Sequence, residues 1–240
     1  MQLYRSENKR TLPLPVFALI PAAGSGRRLG ADGPKQYLRL AGKPMLWHAV
    51  NAVCAPPVQS VFVVLSPEDR TYATQDWSRF AGKLEPLYCG GETRRDSVYN
   101  GLVAAMAGVD ADDWMLVHDA ARPCLPRADL ERLLAEAKGE EVGAILALPV
   151  ADTVKRVAQS RITATEDRSS LWLAQTPQMF RTGLLAEALR AAKGEVTDEA
   201  AAVEQLGLRP RVVPGSRENL KVTYPEDVAM AEALLAGRPA

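Results

Sequence analysis

From Val16 onward, short runs rich in Val, Ile and Leu alternate with longer stretches whose apolar residues recur every three or four positions. The short runs suit strands buried on both faces, and the longer stretches present one apolar stripe each. Together they make the pattern of βα units around a mainly parallel sheet. Strands are predicted over residues 16–20, 61–65, 114–117 and 142–147. Helices are predicted over 45–53, 94–107, 128–137, 182–192, 198–206 and 225–235, the last opening with Pro225 in its first turn.

One stretch departs from the alternation. Residues 149–172 read PVADTVKRVAQSRITATEDRSSLW, with strands expected over 153–157 and 161–165 around a polar turn. This is a hairpin inserted into an α/β domain. Its exposed side chains are charged and its apolar ones few, and an isolated two-stranded hairpin is marginal in water, so it needs a surface to lie against. A partner subunit would serve.

Composition narrows the function classes. Lys and Arg number 29, as do Asp and Glu, so the formal net charge is zero. The broad basic face of a chain built for nucleic acid or an anionic membrane is missing, and any anion site must be local. The longest apolar run, residues 142–151, contains Pro149 and falls well short of the ~20 residues that span a bilayer. Cys54, Cys89 and Cys124 form no C-x-x-C pair and have no histidine at ligand spacing, which argues against a disulfide scaffold or zinc site and for a reducing, cytoplasmic setting. Arg5, Lys9 and Arg10 before an apolar stretch imitate a signal peptide, but Pro13, Pro15 and Pro21 would break its helix. Residues 1–15 therefore read as a loose leader, with one domain from 16 to 237.

The candidate chemistry begins where the first strand ends, in PAAGSGRRLGADGPKQY, residues 21–37. Gly24, Gly26, Gly30 and Gly33 let backbone N–H groups approach an anion closely, and Arg27, Arg28 and Lys35 add positive charge. The segment reads as a polyphosphate cradle. A dinucleotide fingerprint would need glycine where Leu29 stands, and no G-x-x-x-x-G-K-[ST] occurs, so neither a nicotinamide dehydrogenase nor a P-loop ATPase is supported. A second constellation is VHDAARP, residues 117–123, in which an apolar strand ends in Asp119 at the sheet edge where ligands of open α/β sheets bind. Asp119 is the candidate ligand for a Mg2+ ion that accompanies phosphates. His118 alternates to the opposite side of the strand and reads as structural, as does His48 on its helix. Ser25 lacks the surroundings of a nucleophile elbow, which disfavours a hydrolase.

These segments also carry a resemblance. In order, PAAGSGRRLGADGPKQY, GGETRRDSV (90–98), VHDAARP, DTVKR (152–156), TPQ (176–178), TDEA (197–200) and NLKVTYPED (219–227) resemble the 2-C-methyl-D-erythritol 4-phosphate cytidylyltransferase family of the non-mevalonate isoprenoid pathway. The resemblance implies a single Rossmann-like nucleotidyltransferase domain that joins CTP to methylerythritol phosphate with release of pyrophosphate. It further implies Mg2+ dependence and a homodimer whose hairpin arm reaches the neighbouring subunit. Carried over by position, it implies that Pro21, Ala22, Ala23, Gly24 and Gly26 cradle CTP while Arg28 and Lys35 stabilise the transition state. Gly91, Glu92 and Ser97 would lie by the cytosine, with Glu92 where the family pattern leads one to expect Asp. Asp119 would hold the metal, and Arg122, Thr153, Arg168, Thr197 and Lys221 would receive the acceptor, with Arg168 and Lys221 orienting its phosphate. A cytidylyltransferase for another polyol phosphate, such as ribitol 5-phosphate, and a noncatalytic nucleotide-binding module stand as the alternatives.

Overall fold

The computed structural model describes residues 14–24 and 33–237. Seven strands form the central sheet: β1 (Val16–Pro21), β4 (Val58–Val64), β5 (Leu84–Leu87), β6 (Trp114–Val117), β7 (Ala144–Pro149), β10 (Trp172–Arg181) and β11 (Arg211–Pro214). Their order is β11-β7-β10-β6-β1-β4-β5. Every pairing is parallel except those of β10, which runs antiparallel between β6 and β7. Two ribbons complete the strands, β2 (Arg39–Leu40) with β3 (Lys43–Pro44), and β8 (Val154–Ala158) with β9 (Arg161–Glu166).

Strand alternation divides the core. Val16, Ala18 and Ile20 of β1 point to one face and pack with α1 (Met45–Val53) and α3 (Arg127–Ala137). Phe17 and Leu19 point to the other, against α2 (Arg94–Ala105), α4 (Thr182–Ala191) and α5 (Glu199–Glu204). A smaller cluster of Leu40, Met45, Cys124, Val222 and Ala231 seats α6 (Pro225–Ala236) against β2 and the segment after β6. No disulfide joins the three cysteines, and among the described residues no helix is long and apolar enough to cross a membrane.

The predicted helices are all present, and so are the four predicted sheet strands, with shifted ends. The strand expected from 142 starts at Ala144 because Gly143 takes φ +113, outside the extended region, and lies so close to Met179 O that a side chain there would collide with it. Three sheet strands were not anticipated. β5 carries Pro86, which suits it to the sheet edge it occupies. β11 is four residues long and mostly exposed. β10 breaks register between Ala174 and Gln178, so its middle lacks the regular alternation of a strand. Within the inserted stretch, β8 and β9 form the expected hairpin, largely exposed, with a turn at Gln159 and Ser160.

Candidate functional site

Strand order reverses beside β1, with β4 on one side and β6 on the other, and a cavity of about 410 Å3 opens beyond the carboxyl ends of these strands. Its floor is the run Pro21–Ala22–Ala23–Gly24. The Ala22 N–H donates to Val64 O at 2.8 Å, and Gln36 Nε2 donates to Ala22 O at 2.7 Å, which fixes the first peptide of the loop. Lys35 follows Pro34 in a single 3-10 turn and donates from Nζ to the Val222 carbonyl, tying this wall to the segment before α6.

The facing wall is the start of α2. Thr93 Oγ1 accepts from Asp96 N while Asp96 returns a bond to the Thr93 N–H, a reciprocal cap worth about 1 kcal/mol. Gly91 N donates to Ser97 Oγ at 3.1 Å. Two glycines are required here by close approach: a Cβ at Gly91 would strike the Asp96 side chain, and one at Gly90 would strike Ala23 Cβ and Leu65 O. Gly90 thus lets the GGE turn lie directly against the β1 loop.

A second cavity of about 200 Å3 lies beyond this one, lined by Arg122, Gln175, Thr176, Thr197 and Asp198 among others. The two chambers share Asp119, Arg94 and Lys221 as a common wall. Asp119 Oδ1 accepts from Arg94 Nε at 3.0 Å and Oδ2 pairs with Lys221 Nζ at 2.7 Å, with Arg122 Nε 3.9 Å from Oδ2. Burial alone would raise the Asp119 pKa, but the charge of Arg94, then Lys221 and Arg122, holds the carboxyl well below the usual carboxylate range. Arg94 also grips Glu199, Nη1 to Oε1 at 2.6 Å and Nη2 to Oε2 at 3.0 Å.

Arg122 enters the second chamber from the other side. Its Nη1 donates to Asn219 O at 2.7 Å, while Nε has no hydrogen-bond partner among the described residues. Burial lowers its pKa, against the attraction of Asp119. A buried guanidinium in the wall of a polar cavity is a site that gains from an anion.

His118 is fully buried and lines neither chamber, whereas Asp119 lines both. Nε2 lies 3.0 Å from Arg122 O and Nδ1 3.2 Å from Thr176 Oγ1, and that hydroxyl accepts from Asp119 N at 2.9 Å. A neutral ring satisfies this chain, donating from Nε2 and accepting at Nδ1. Burial pushes its pKa down to about 4. In the unfolded chain the ring titrates near 6.5, so between these values only the unfolded state binds the proton, and stability falls as pH drops by on the order of 3 kcal/mol. Urea unfolding between about pH 7 and pH 4.5 checks this: the wild type loses more stability than His118→Gln, and parallel losses would refute it.

Of the residues singled out in the sequence, Pro21, Ala22, Ala23, Gly24, Lys35, Gly91, Glu92, Ser97, Asp119 and Lys221 line the first chamber. Arg122 and Thr197 line the second, with Asp119 and Lys221 shared. Gly26 and Arg28 lie outside the described residues. Thr153 and Arg168 line neither chamber. Both are exposed near the base of the hairpin, where Arg168 Nη1 donates to the Ala151 carbonyl. Sequence reasoning passed over Arg94, Thr176, Gln178 and Glu199. Arg94 sits beside Arg95, and only helix phase separates them: Arg94 turns to Asp119, whereas Arg95 donates to Leu189 O at 3.1 Å.

Among the described residues no group of three acidic, His or Cys side chains could cage a metal ion by itself. Asp119 is one ionised carboxylate in the wall of a polar chamber, and Mg2+ is commonly held by one or two carboxylates plus substrate phosphates. Its Oδ2 partner, Lys221, has a side chain 47% exposed, against 30% for Arg94, so Oδ2 is the oxygen more easily yielded to an ion. The residues fit an ion brought in with a nucleotide.

Residues 16–237 match the family model described as 2-C-methyl-D-erythritol 4-phosphate cytidylyltransferase. Proteins of that name from Dechloromonas aromatica (strain RCB) and Nitrosospira multiformis are 54% and 56% identical to this chain over 224 residues, covering 92% and 91% of it and 98% and 97% of their own lengths. Among solved structures, the fold is similar to a 4-diphosphocytidyl-2C-methyl-D-erythritol synthase (TM-score 0.82, 41% identity, 92% of this chain and 99% of that one). It is also similar to the Francisella tularensis 2-C-methyl-D-erythritol 4-phosphate cytidylyltransferase (TM-score 0.75, 35% identity, 92% and 99%). The family model and these relatives agree over nearly the whole chain, and the chain belongs to the 2-C-methyl-D-erythritol 4-phosphate cytidylyltransferase family.

Proposed function

We propose that this protein transfers the cytidylyl group of CTP to 2-C-methyl-D-erythritol 4-phosphate, releasing pyrophosphate and 4-diphosphocytidyl-2-C-methyl-D-erythritol, a step of non-mevalonate isoprenoid synthesis. The observation that carries this reading is the pair of chambers with one charged wall, Asp119, Arg94 and Lys221, between them. A reaction that joins two phosphate-bearing molecules needs such a place, where both meet a fixed set of charges.

CTP occupies the larger chamber, its phosphates on Pro21–Gly24 and Gly26 and its cytosine near Gly91, Glu92 and Ser97. Arg122 and Thr197 receive the acceptor in the smaller one, which both of them line. An acceptor phosphate oxygen attacks the α-phosphorus in line, a new P–O bond forms, and the bond from the α-phosphorus to the bridging oxygen breaks, so the electron pair leaves with pyrophosphate. No general base is needed, because a phosphate monoester with second pKa about 6 is already mostly dianionic at neutral pH. Catalysis is therefore positioning plus stabilisation of charge on the nonbridging oxygens. Lys35 and Arg28 supply that stabilisation, and Lys221 and Arg168 orient the attacking phosphate. Asp119 would hold a Mg2+ ion, which would supply charge neutralisation at the nucleotide phosphates.

The domain runs from 16 to 237, and residues 149–172 form an arm that carries Thr153 and Arg168 to the acceptor chamber of a second copy in a homodimer. Supporting this are the exposed Val157, Ile162, Leu171, Trp172 and Leu173 on and beside the hairpin, an apolar set that a partner would cover. Neither nucleic acid nor a membrane is a partner, and the unbridged cysteines suit the cytoplasm.

The test is pyrophosphate release with Mg2+ and CTP, comparing methylerythritol phosphate with ribitol 5-phosphate and repeating each with ATP, GTP and UTP. Release only with CTP and methylerythritol phosphate is expected. Release with ribitol phosphate instead keeps the mechanism and overturns the acceptor. No release with either leaves a nucleotide-binding module.

A further inference from the structure

Glu199 lines neither chamber, yet it is an ionisable side chain with no solvent exposure at the first turn of α5. We propose that Glu199 is a positioning residue for the transfer step, acting through Arg94 to hold Asp119 in the wall between the chambers. The inference rests on the function proposed above and extends it to a residue that touches no substrate.

The geometry is specific. The Glu199 carboxylate takes two hydrogen bonds from Arg94, one from each terminal nitrogen. The guanidinium then presents Nε and Nη2 to Asp119 Oδ1, at 3.0 and 2.9 Å. A planar fork held on both edges cannot swing away from Asp119 without breaking charge-assisted bonds to a buried partner. Lysine at this position would supply the charge without the fork.

The start of α5 is itself fixed to β10. Gln178 Nε2 donates to Asp198 Oδ2 at 2.8 Å, and its Oε1 accepts from Ala200 N at 2.8 Å. Thr197, in the wall of the smaller chamber, therefore precedes two anchored residues. The connection runs from β10 through α5 and Glu199 to Arg94 and Asp119, which sets the metal-side carboxylate in register with the acceptor chamber. A misplacement of about 1 Å at such a carboxylate can cost on the order of 100-fold in rate.

Glu199→Gln keeps the shape and removes the charge. The expected result is a kcat lowered roughly 10- to 100-fold, a KM for CTP changed less than about threefold, and a higher Mg2+ concentration for half-maximal rate. In an Arg94→Lys background the same change should cost less than about twofold more, because the path it acts through is already broken. Circular dichroism and thermal melting establish that each variant folds. A folded Glu199→Gln protein with wild-type kcat and Mg2+ dependence overturns the proposal, and so does a full additional loss in the Arg94→Lys background. Should Glu199→Gln fail to fold, Arg94→Lys decides alone: wild-type kcat there overturns it, and the same kcat loss with little change in KM supports it. A wild-type protein that releases no pyrophosphate with CTP and methylerythritol phosphate removes the proposed function and this role together. A turning-over wild type matched by Glu199→Gln removes only this role.

Discussion

Replacing Lys35 by alanine lowers the kcat of pyrophosphate release by roughly two orders of magnitude or more, about 3 kcal/mol of transition-state stabilisation, while CTP affinity changes much less. Lys35 lines the chamber beside the β1 loop, and its ammonium is held by the Val222 carbonyl. A cation placed before the substrate arrives acts on charge that grows during bond exchange, and such an interaction appears in kcat more than in binding. Initial rates against CTP concentration, with direct titration of CTP binding, separate the two. A Lys35→Ala enzyme at full rate would remove the role, and one that loses affinity alone would make Lys35 a binding residue.

Asp119→Asn should reduce turnover to below about 1% and destabilise the fold by about 3 kcal/mol at neutral pH. The substitution is nearly isosteric, so both effects come from charge. Asp119 and Glu199 are the two anions of a cluster that also holds Arg94, Arg122 and Lys221, and its formal charge goes from +1 to +2 when Asp119 is neutralised. Removing one partner of a buried pair leaves the others uncompensated, which is why the loss exceeds the net worth of the pair. Urea midpoints read the stability and pyrophosphate release reads the turnover. An unchanged midpoint would show that solvent already screens the cluster.

Much of this arrangement was legible in the chain. The strands β1, β6 and β7 are apolar runs at strand length, and α1, α3 and α4 each carry an apolar stripe, so periodicity finds them. Position just beyond a strand end located Asp119. β10 was hidden because Gln175, Thr176 and Gln178 are buried polar residues whose partners, Ser216 O, Asp119 N and Asp198, come from elsewhere in the chain. Glu199 was hidden for a related reason. An acidic residue in a first helical turn ordinarily answers the helix dipole, and nothing local says that its true partner lies 105 residues earlier. Local pattern reports burial and direction, whereas long-range charge pairing is decided only when the sheet is assembled.

The exposed hairpin has a consequence at the level of heredity. Thr153 and Arg168 line neither chamber of their own chain, so in the proposed dimer each reaction centre is assembled from two gene products. A copy lacking Lys35 and a copy lacking Arg168 are each inert when paired with themselves. Paired with each other they form one complete centre and one doubly broken centre, so random mixing of the two restores about a quarter of the wild-type output. Two alleles that each fail alone would then complement within a single cell.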